Sequence, residues 1–370
     1  MRRLTGLFIC VLLSAPLTAA AQSTVTYRAQ VTAEATTTEA NQSSPLVPAA
    51  SDGWTRGSLF VATGAGSWES GGRLKLAGGL ALTGSSGGDL TVRAREAYAR
   101  VSATDWMDVE AGKRLLRWGV GYGFSPAGVL DPPRVATDPT DRLGLNEGLP
   151  MARVDLFRRD SALTVALAVP GLARPALVTA PSRIAAARLR TVLPGGVEIA
   201  LIASAAPGAG PSWGGTITHV VGRQLEWHGE VIEQDAKGSR ALSAVAGVQY
   251  TFLPGVNVVL EYHRNGRGLD DVEWNAMLRG SRAPGSMPGR QQFLFARAAL
   301  PDAGARVAPE LILIAGLDDG SRTLVPGVTW TPRGRVQIHA RATRLFGGRR
   351  SIAGVAPWST SLTVGATVRF

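Results

Sequence analysis

One short segment carries ionisable side chains at every second position. Glu226, His228 and Glu230 are separated by Trp227 and Gly229, so in an extended chain the three share one face. A histidine flanked by two carboxylates could bind a metal ion or exchange protons with a substrate. The four histidines of the chain have no metal-ligand spacing, and ion pairs with arginines explain the same pattern. We therefore predict no catalytic residue, no metal site and no cofactor.

The same spacing recurs in other segments, where arginine is frequent. Arg188 and Arg190 share one face of a segment, and Arg335 shares a face with His339 and Arg341 in another. Charged side chains are costly in hydrocarbon, so such faces belong to a water-filled interior. The predicted pore-lining residues are Arg188, Arg190, Glu226, His228, Glu230, Glu261, His263, Arg335, His339 and Arg341.

The elements that must position these side chains are short strands. Alternation of apolar and polar residues predicts an all-β chain of about 18 strands, with 16 as the alternative count. In the first segment, residues 24–33, Val25 and Tyr27 oppose Thr26 and Arg28. Most segments have roughly the nine to eleven residues that a tilted strand needs to cross a bilayer. Because lipid does not tolerate an unpaired strand edge, we predict a closed antiparallel transmembrane barrel.

The links between the predicted strands alternate between short and long. Membrane barrels have short turns on the periplasmic rim and longer loops outside. Residues 103–105 and 159–160 are two of the short links. The link near residues 65–71 is an exception, because it is longer than a periplasmic turn. The long extracellular loops are predicted at residues 34–54, 117–149 and 265–288.

The last segment, from Ser359 to Phe370, has one polar and one apolar face and ends on an aromatic residue. It resembles the C-terminal signature strand of bacterial outer-membrane β-barrels, in which a terminal Phe marks the chain for assembly. The resemblance implies that Phe370 is an assembly signal and that the barrel-assembly machinery is a partner.

A glycine-rich bend followed by a segment rich in Pro and Asp forms the most distinctive loop. Gly119, Gly121 and Gly123 lie in the bend, and residues 130–141 form the second part. The pattern resembles porin-like outer-membrane proteins, including alginate-export-type barrels. An ordinary surface loop held by prolines and Asx turns is the alternative interpretation. The resemblance implies a constriction made by Arg117, Asp131, Arg134, Asp138, Asp141 and Arg142.

The start of the chain predicts a secretory signal peptide over residues 1–21. Arg2 and Arg3 precede an apolar core, and residues 19–21 are alanines that suit a cleavage site. Cys10 is the one cysteine in the sequence and lies in that core. The remaining residues, 22–370, are predicted to form a single barrel domain without a disulfide.

Charge points to anionic partners. The sequence has 39 Lys and Arg against 28 Asp and Glu, for a formal net charge of +11. Removal of Arg2 and Arg3 leaves 37 against 28, so the exported chain has a charge of +9. Such an excess favours lipid phosphates, anionic solutes or nucleic acid, and export makes nucleic acid the least suitable. We therefore expect outer-membrane lipids, lipopolysaccharide and small solutes as partners, and no nucleic acid.

Together these patterns predict an outer-membrane channel of a Gram-negative bacterium. Small solutes, with anions favoured, would diffuse passively through an arginine-lined lumen. The sequence leaves two alternatives open. One is an outer-membrane hydrolase that uses barrel histidines and carboxylates, and the other is a non-conducting barrel that acts in assembly or adhesion.

Overall fold

The computed structural model describes residues 23–45, 53–172, 182–236, 239–253, 255–280, 289–300 and 306–370. The predicted signal peptide lies outside these ranges. Within them the chain forms one sheet of 18 antiparallel strands, which confirms the all-β prediction. The strands are β1 Ser23–Ala40, β2 Trp54–Ser70, β3 Leu74–Ser85, β4 Thr91–Thr104, β5 Met107–Arg114, β6 Leu149–Arg158, β7 Ser161–Ala168, β8 Ile184–Leu193, β9 Val197–Ala206, β10 Ala209–Val221, β11 Leu225–Ala236, β12 Ser239–Thr251, β13 Asn257–Arg264, β14 Gln292–Ala299, β15 Val307–Gly316, β16 Arg322–Arg333, β17 Val336–Phe346 and β18 Trp358–Arg369.

The sheet closes on itself through its first strand. Thr32 on β1 is the register partner of both Thr367 on β18 and Val61 on β2. Strands β2 to β17 each pair with the strands before and after them in the sequence. Closure leaves no unpaired strand edge, which is the condition for a sheet that crosses lipid.

Side-chain burial follows the period of two. On β13, Val259, Glu261 and His263 point inward and are buried, whereas Leu260 is 49% exposed on the outside. Tyr262 lies on the same outer face and is also exposed. The inner face is therefore the polar one and the outer face the apolar one, as in a barrel whose outside meets lipid.

Both ends of the sheet lie at one rim together with the short turns. β2 runs to Ser70 and β3 begins at Leu74, so the link expected to be long has only residues 71–73. The prediction missed this because the glycine-rich run at residues 64–66 was read as a link. In fact it continues β2 and pairs with β3 through Gly78 and Gly79.

The long connections lie at the opposite rim, and one boundary needs correction. Residues 34–40 belong to β1, although the sequence analysis assigned them to a loop over 34–54. The β-branched run from Thr36 to Thr38 continues the strand and pairs with both β2 and β18. The other two long connections span residues 115–148 and 265–291.

Within the described ranges, two α-helices lie in long connections, one in residues 265–291 and one in residues 347–357. α1 spans Asp271–Arg279, and α2 spans Ile352–Val355. Trp274 of α1 packs with Leu269 and Val355 in a small apolar cluster. The Asn41 side chain, in the connection after β1, donates to carbonyl oxygens in and after α2. Among the residues described, no helix has the length and apolarity needed to span a membrane.

Candidate functional site

The connection between β5 and β6, residues 115–148, folds into the barrel. We call it the lumenal loop. Trp118 and Leu130 of this loop are 4% and 1% exposed, and they belong to one apolar cluster with inward side chains of the wall. That part of the wall contributes Met151, Ala166, Ala168, Ala186 and Ile202, from strands β6 to β9. The loop therefore packs against one side of the lumen through hydrophobic contact.

Carboxylates bind the backbone of the glycine-rich bend. The Val120 amide donates to Glu230 on β11 at 2.8 Å. The Gly123 amide donates to Glu261 on β13 at 2.8 Å, and the Tyr122 amide donates to the other oxygen of the same carboxylate. Buried backbone amides are costly to leave unpaired, so side-chain oxygens that accept from them stabilise the bend. These three bonds hold the bend against β11 and β13, which follow β9 around the barrel.

Glycine is required where the bend meets that wall. A Cβ on Gly123 would come within 2.6 Å of the Phe295 ring, and one on Gly119 would come within 2.8 Å of the Glu230 carboxylate. The next aromatic residue, Phe124, stacks on His263 with ring centroids 4.2 Å apart. The close approach of backbone to wall explains the repeated glycines in this segment.

Charged groups fix the second half of the loop to β1 and β17. Arg142 donates to Glu34 at 2.6 Å, and His339 contacts the same carboxylate oxygen at 2.7 Å. Arg341 donates to the Thr137 carbonyl and also pairs with Glu310 on β15. The lumenal loop thus crosses the barrel and is bound on several sides of it.

The end of the loop is bound to β4 and β5. Arg95 donates to the Asn146 carbonyl at 3.2 Å and lies 3.7 Å from Asp141. Glu147 accepts from Lys113 at 2.9 Å and from Arg93 at 3.3 Å. Burial alone would raise the pKa of Glu147, but the hydrogen bonds and charges of these two cations outweigh it and lower that pKa.

The loop leaves two adjoining cavities, one within the loop and one beside it. The first, of about 180 Å³, lies within the loop itself and is bordered by Leu143 and Leu145. The second, of about 430 Å³, lies between the loop and strands β1, β2, β4 and β18, with Gly144 on its border. Segment 143–145 therefore separates the two cavities. The loop narrows the lumen without filling it.

The charges around the two cavities differ. The first is lined by Arg117 and Arg134 together with three aspartates, Asp131, Asp138 and Asp141. The second is lined by Arg28, Arg95 and Arg369, and its described lining residues include no Asp or Glu. Of these two cavities, the second is the one whose described lining has an excess of positive charge.

Burial shifts the proton equilibria of the loop. It raises the pKa of the Asp131 carboxyl, and the amides of Trp118 and Gly119 offset only part of that effect. It likewise raises the pKa of Asp138, against the opposing charge of Arg142. Burial and the neighbouring charge of Arg117 lower the pKa of the Arg134 guanidinium.

The predicted pore-lining residues fall into three groups. Arg188 and Arg190 both pair with Glu198, at 3.4 and 3.1 Å. His228 lies between Glu261 at 2.9 Å and Glu226 at 3.5 Å. The contacts of Glu230, His263, His339 and Arg341 with the lumenal loop and its surroundings are those given above. That all of these residues line a conducting route stays a prediction.

Arg335 is a correction. It was assigned to the inner face of a strand, but it lies exposed in the turn at residues 334–335, because β17 begins at Val336. Gly334, directly before it, belongs to the same turn. The alternation pattern therefore placed the start of the strand two residues too early.

Five of the six predicted constriction residues line the first cavity. They are Arg117, Asp131, Arg134, Asp138 and Asp141, whereas Arg142 binds Glu34. Sequence reasoning missed the three arginines of the second cavity. Arg28 and Arg369 could have been found, because each continues the polar face of a strand that the sequence identified.

Within the described ranges, no group of three or more His, Cys, Asp or Glu residues is arranged to hold a metal ion. Both oxygens of Glu261, the residue closest to His228, accept backbone amides of the loop. This carboxylate therefore has a structural role in binding the loop.

The sequence matches no protein-family model and no curated protein. Three solved structures from Pseudomonas aeruginosa have a similar fold. OpdQ is 10% identical, with a TM-score of 0.62 over 94% of this chain and 97% of that chain. OccK11 (OpdR) is 11% identical, with a TM-score of 0.61 over 93% and 96% of the two chains. OccK5 (OpdH) is 8% identical, with a TM-score of 0.58 over 93% and 98%.

At these identities the likeness concerns the fold. The chain has the fold of a porin-like β-barrel, which is the fold that the resemblance of the terminal strand and the glycine-rich loop implied. The alginate-export-type assignment of that loop stays an expectation.

Proposed function

We propose that the protein is an outer-membrane channel through which small solutes diffuse, with the lumenal loop as its constriction. The observation that carries this proposal is the pair of adjoining cavities beside a loop bound inside the barrel. A solute would pass from the first cavity, past segment 143–145, into the second. The ion pair between Arg95 and Asp141 lies at this boundary and would set the narrowest part of the route.

Charge supports a preference for anions. The second cavity is lined by three arginines and, among its described residues, by no Asp or Glu side chain. Arg95 lies 3.7 Å from Asp141, so the positive potential there comes chiefly from Arg28 and Arg369. Arg188 and Arg190 contribute less than their number implies, because both lie against Glu198. We therefore assign selectivity chiefly to Arg28 and Arg369 in place of Arg188 and Arg190.

The proposal includes an orientation in the outer membrane. Both ends of the sheet and the short turns would face the periplasm, and the long connections would face outward. The apolar outer face, exposed at residues such as Leu260, Leu313 and Val364, supports contact with lipid. We assign no catalysis to His228, because its neighbouring carboxylate Glu261 is engaged by the loop.

The reversal potential across a planar bilayer with a salt gradient tests the proposal. Wild-type protein should conduct with a modest anion preference that fades as salt rises. Replacing Arg28 and Arg369 together with Ser should move the reversal potential toward cation preference without abolishing the current. An unchanged reversal potential in this variant would remove both residues from the conducting route.

A matched control uses a lumenal ion pair outside the second cavity. The double variant Arg188→Gln, Glu198→Gln removes one charge of each sign and leaves the net charge unchanged. We expect its reversal potential to equal that of the wild type. A shift as large as that of the Arg28, Arg369 variant would show that selectivity is not set in the second cavity.

A further inference from the structure

Arginines lie on the outer face of the barrel near the rim of the long connections. Strands β12, β13, β16 and β17 contribute Arg240, Arg264, Arg322 and Arg344. Their direction follows from the alternation, since Leu242, Leu260, Val328 and Ile338 on the same faces are exposed outside the barrel. At the rim of the short turns, the described part of the same four strands carries no outward-facing Lys or Arg. The positive charge on this wall is therefore confined to one end.

Two of these four arginines are already paired. Arg344 donates to Glu39 at 2.8 Å, and Arg240 lies 3.3 Å from Glu233. Within the described ranges, Arg264 and Arg322 have no hydrogen-bond acceptor or carboxylate partner. These two guanidinium groups are free to bind a ligand.

The strand register shows what lies beside these arginines. Tyr262, Leu294, Ala315, Arg322 and Phe346 are successive partners across β13 to β17. Arginine and two aromatic side chains thus occupy one row of the outer face. Aromatic residues at this position are typical of the membrane interface.

The row nearer the membrane centre is apolar over four strands. Leu260, Ala296, Leu313 and Leu324 are successive partners across β13 to β16. The row below continues with Val258, Ala298, Leu311 and Pro326. An apolar surface therefore lies next to the unpaired arginines, on the side of the membrane centre. The wall thus offers both cations for an anionic headgroup and an apolar surface for acyl chains.

We propose that this wall binds lipopolysaccharide of the outer leaflet. Arg264 and Arg322 bind phosphate groups of its lipid A headgroup, and the acyl chains lie over the leucines of β13 to β16. Guanidinium suits phosphate because its planar fork can donate two parallel hydrogen bonds. Arg264 and Arg322 lie three strand spacings apart across the sheet and two residues apart along the strands, about 16 Å in all, so a headgroup with two phosphates fits better than one with a single phosphate. The site requires that the long connections face the outer leaflet, but it does not require that the barrel conduct.

Lipid titration of the purified full-length barrel in detergent tests the site, with native mass spectrometry as the readout. The probes are lipid A with two phosphates, lipid A with one phosphate, and phosphatidylethanolamine. Wild-type protein should bind the first probe most tightly and the last most weakly. Equal binding of all three would mean that the wall recognises acyl chains alone, and would overturn the proposal.

A double variant isolates the two arginines. Arg264→Gln with Arg322→Gln should weaken binding of the doubly phosphorylated probe by about tenfold or more, given the strength of hydrogen bonds to charged groups. The control is Arg158→Gln. Arg158 is an outward arginine on a different strand, β6, at the rim of the short turns, so its replacement should leave binding unchanged. Equal affinities in the double variant, the control and the wild type would also overturn the proposal. If the double variant does not fold, the probe series on wild-type protein still decides.

Discussion

Glu261 on β13 accepts a hydrogen bond from the backbone amide of Gly123, 138 positions away in sequence, at 2.8 Å. The same carboxylate also accepts from Tyr122 and lies 2.9 Å from His228. Glu261 is fully buried, so if its carboxylate were removed, no water would be available to accept the hydrogen bonds of these amides. The position of the lumenal loop inside the barrel depends on such contacts.

Removal of the two carboxylates that hold the bend should loosen the loop. In the double variant Glu230→Ala, Glu261→Ala, the amides of Val120, Tyr122 and Gly123 lose their acceptors, and each buried amide left unpaired costs about 1–3 kcal/mol. We expect a larger and noisier single-channel conductance than that of the wild type. Glu233→Ala, on the outer face of β11, is the control. Identical conductance in all three proteins would mean that the bend does not narrow the route.

The strands and their faces could be predicted because they depend on local alternation. His228 and Glu230 point inward and Trp227 points outward because successive side chains of a strand alternate between its two faces. This alternation is visible within the five residues 226–230. The docking of the lumenal loop could not be predicted in this way. It depends on contacts such as that between Gly123 and Glu261, which no local pattern encodes. Two signals were visible in the sequence: a glycine-rich run, and inward glutamates on strands that carry no inward arginine.

Charge on the two faces of the barrel should have unequal effects. Leu80 on β3 is exposed on the outer face, and Leu80→Arg should reduce the free energy of folding into bilayers by about 2–4 kcal/mol if the residue lies near the midplane. Gln30→Arg adds the same charge at a residue that lines the second cavity, and should fold as well as the wild type. Folding in vesicles, followed by heat-modifiable electrophoretic mobility, measures both. Equal penalties would contradict the assigned faces.

Acidification should increase the anion preference. Burial raises the pKa of both Asp131 and Asp138. As the pH falls, these carboxylates therefore take up protons before the pH reaches about 3.9, the ordinary pKa of aspartate. Lowering the pH from 7 toward that value therefore removes negative charge from the first cavity. The reversal potential should shift toward anions over this interval. The variant Asp131→Asn, Asp138→Asn should lack most of the shift, and an identical pH profile in both proteins would contradict the assignment.

The terminal aromatic residue should affect assembly. Phe370 is exposed, and its backbone amide donates to Ala29 on β1 at 2.9 Å. If the barrel-assembly machinery reads this residue, its deletion should lower the amount of protein in the outer membrane while the signal peptide is still removed. Fractionation and heat-modifiable mobility measure the outcome. Phe370→Tyr, which keeps the aromatic ring, should restore most of the level, and normal levels after deletion would exclude the role.

The most direct test of the channel is the single-channel current of purified, folded wild-type protein in a planar bilayer. A lumen narrowed by a bound loop, with two adjoining cavities left beside it, predicts discrete and steady current steps. Their size should be below that of the Glu230→Ala, Glu261→Ala variant under the same conditions. If protein whose heat-modifiable mobility shows that it is folded gave no current, the channel function would be contradicted. A hydrolase or a non-conducting barrel would then be favoured.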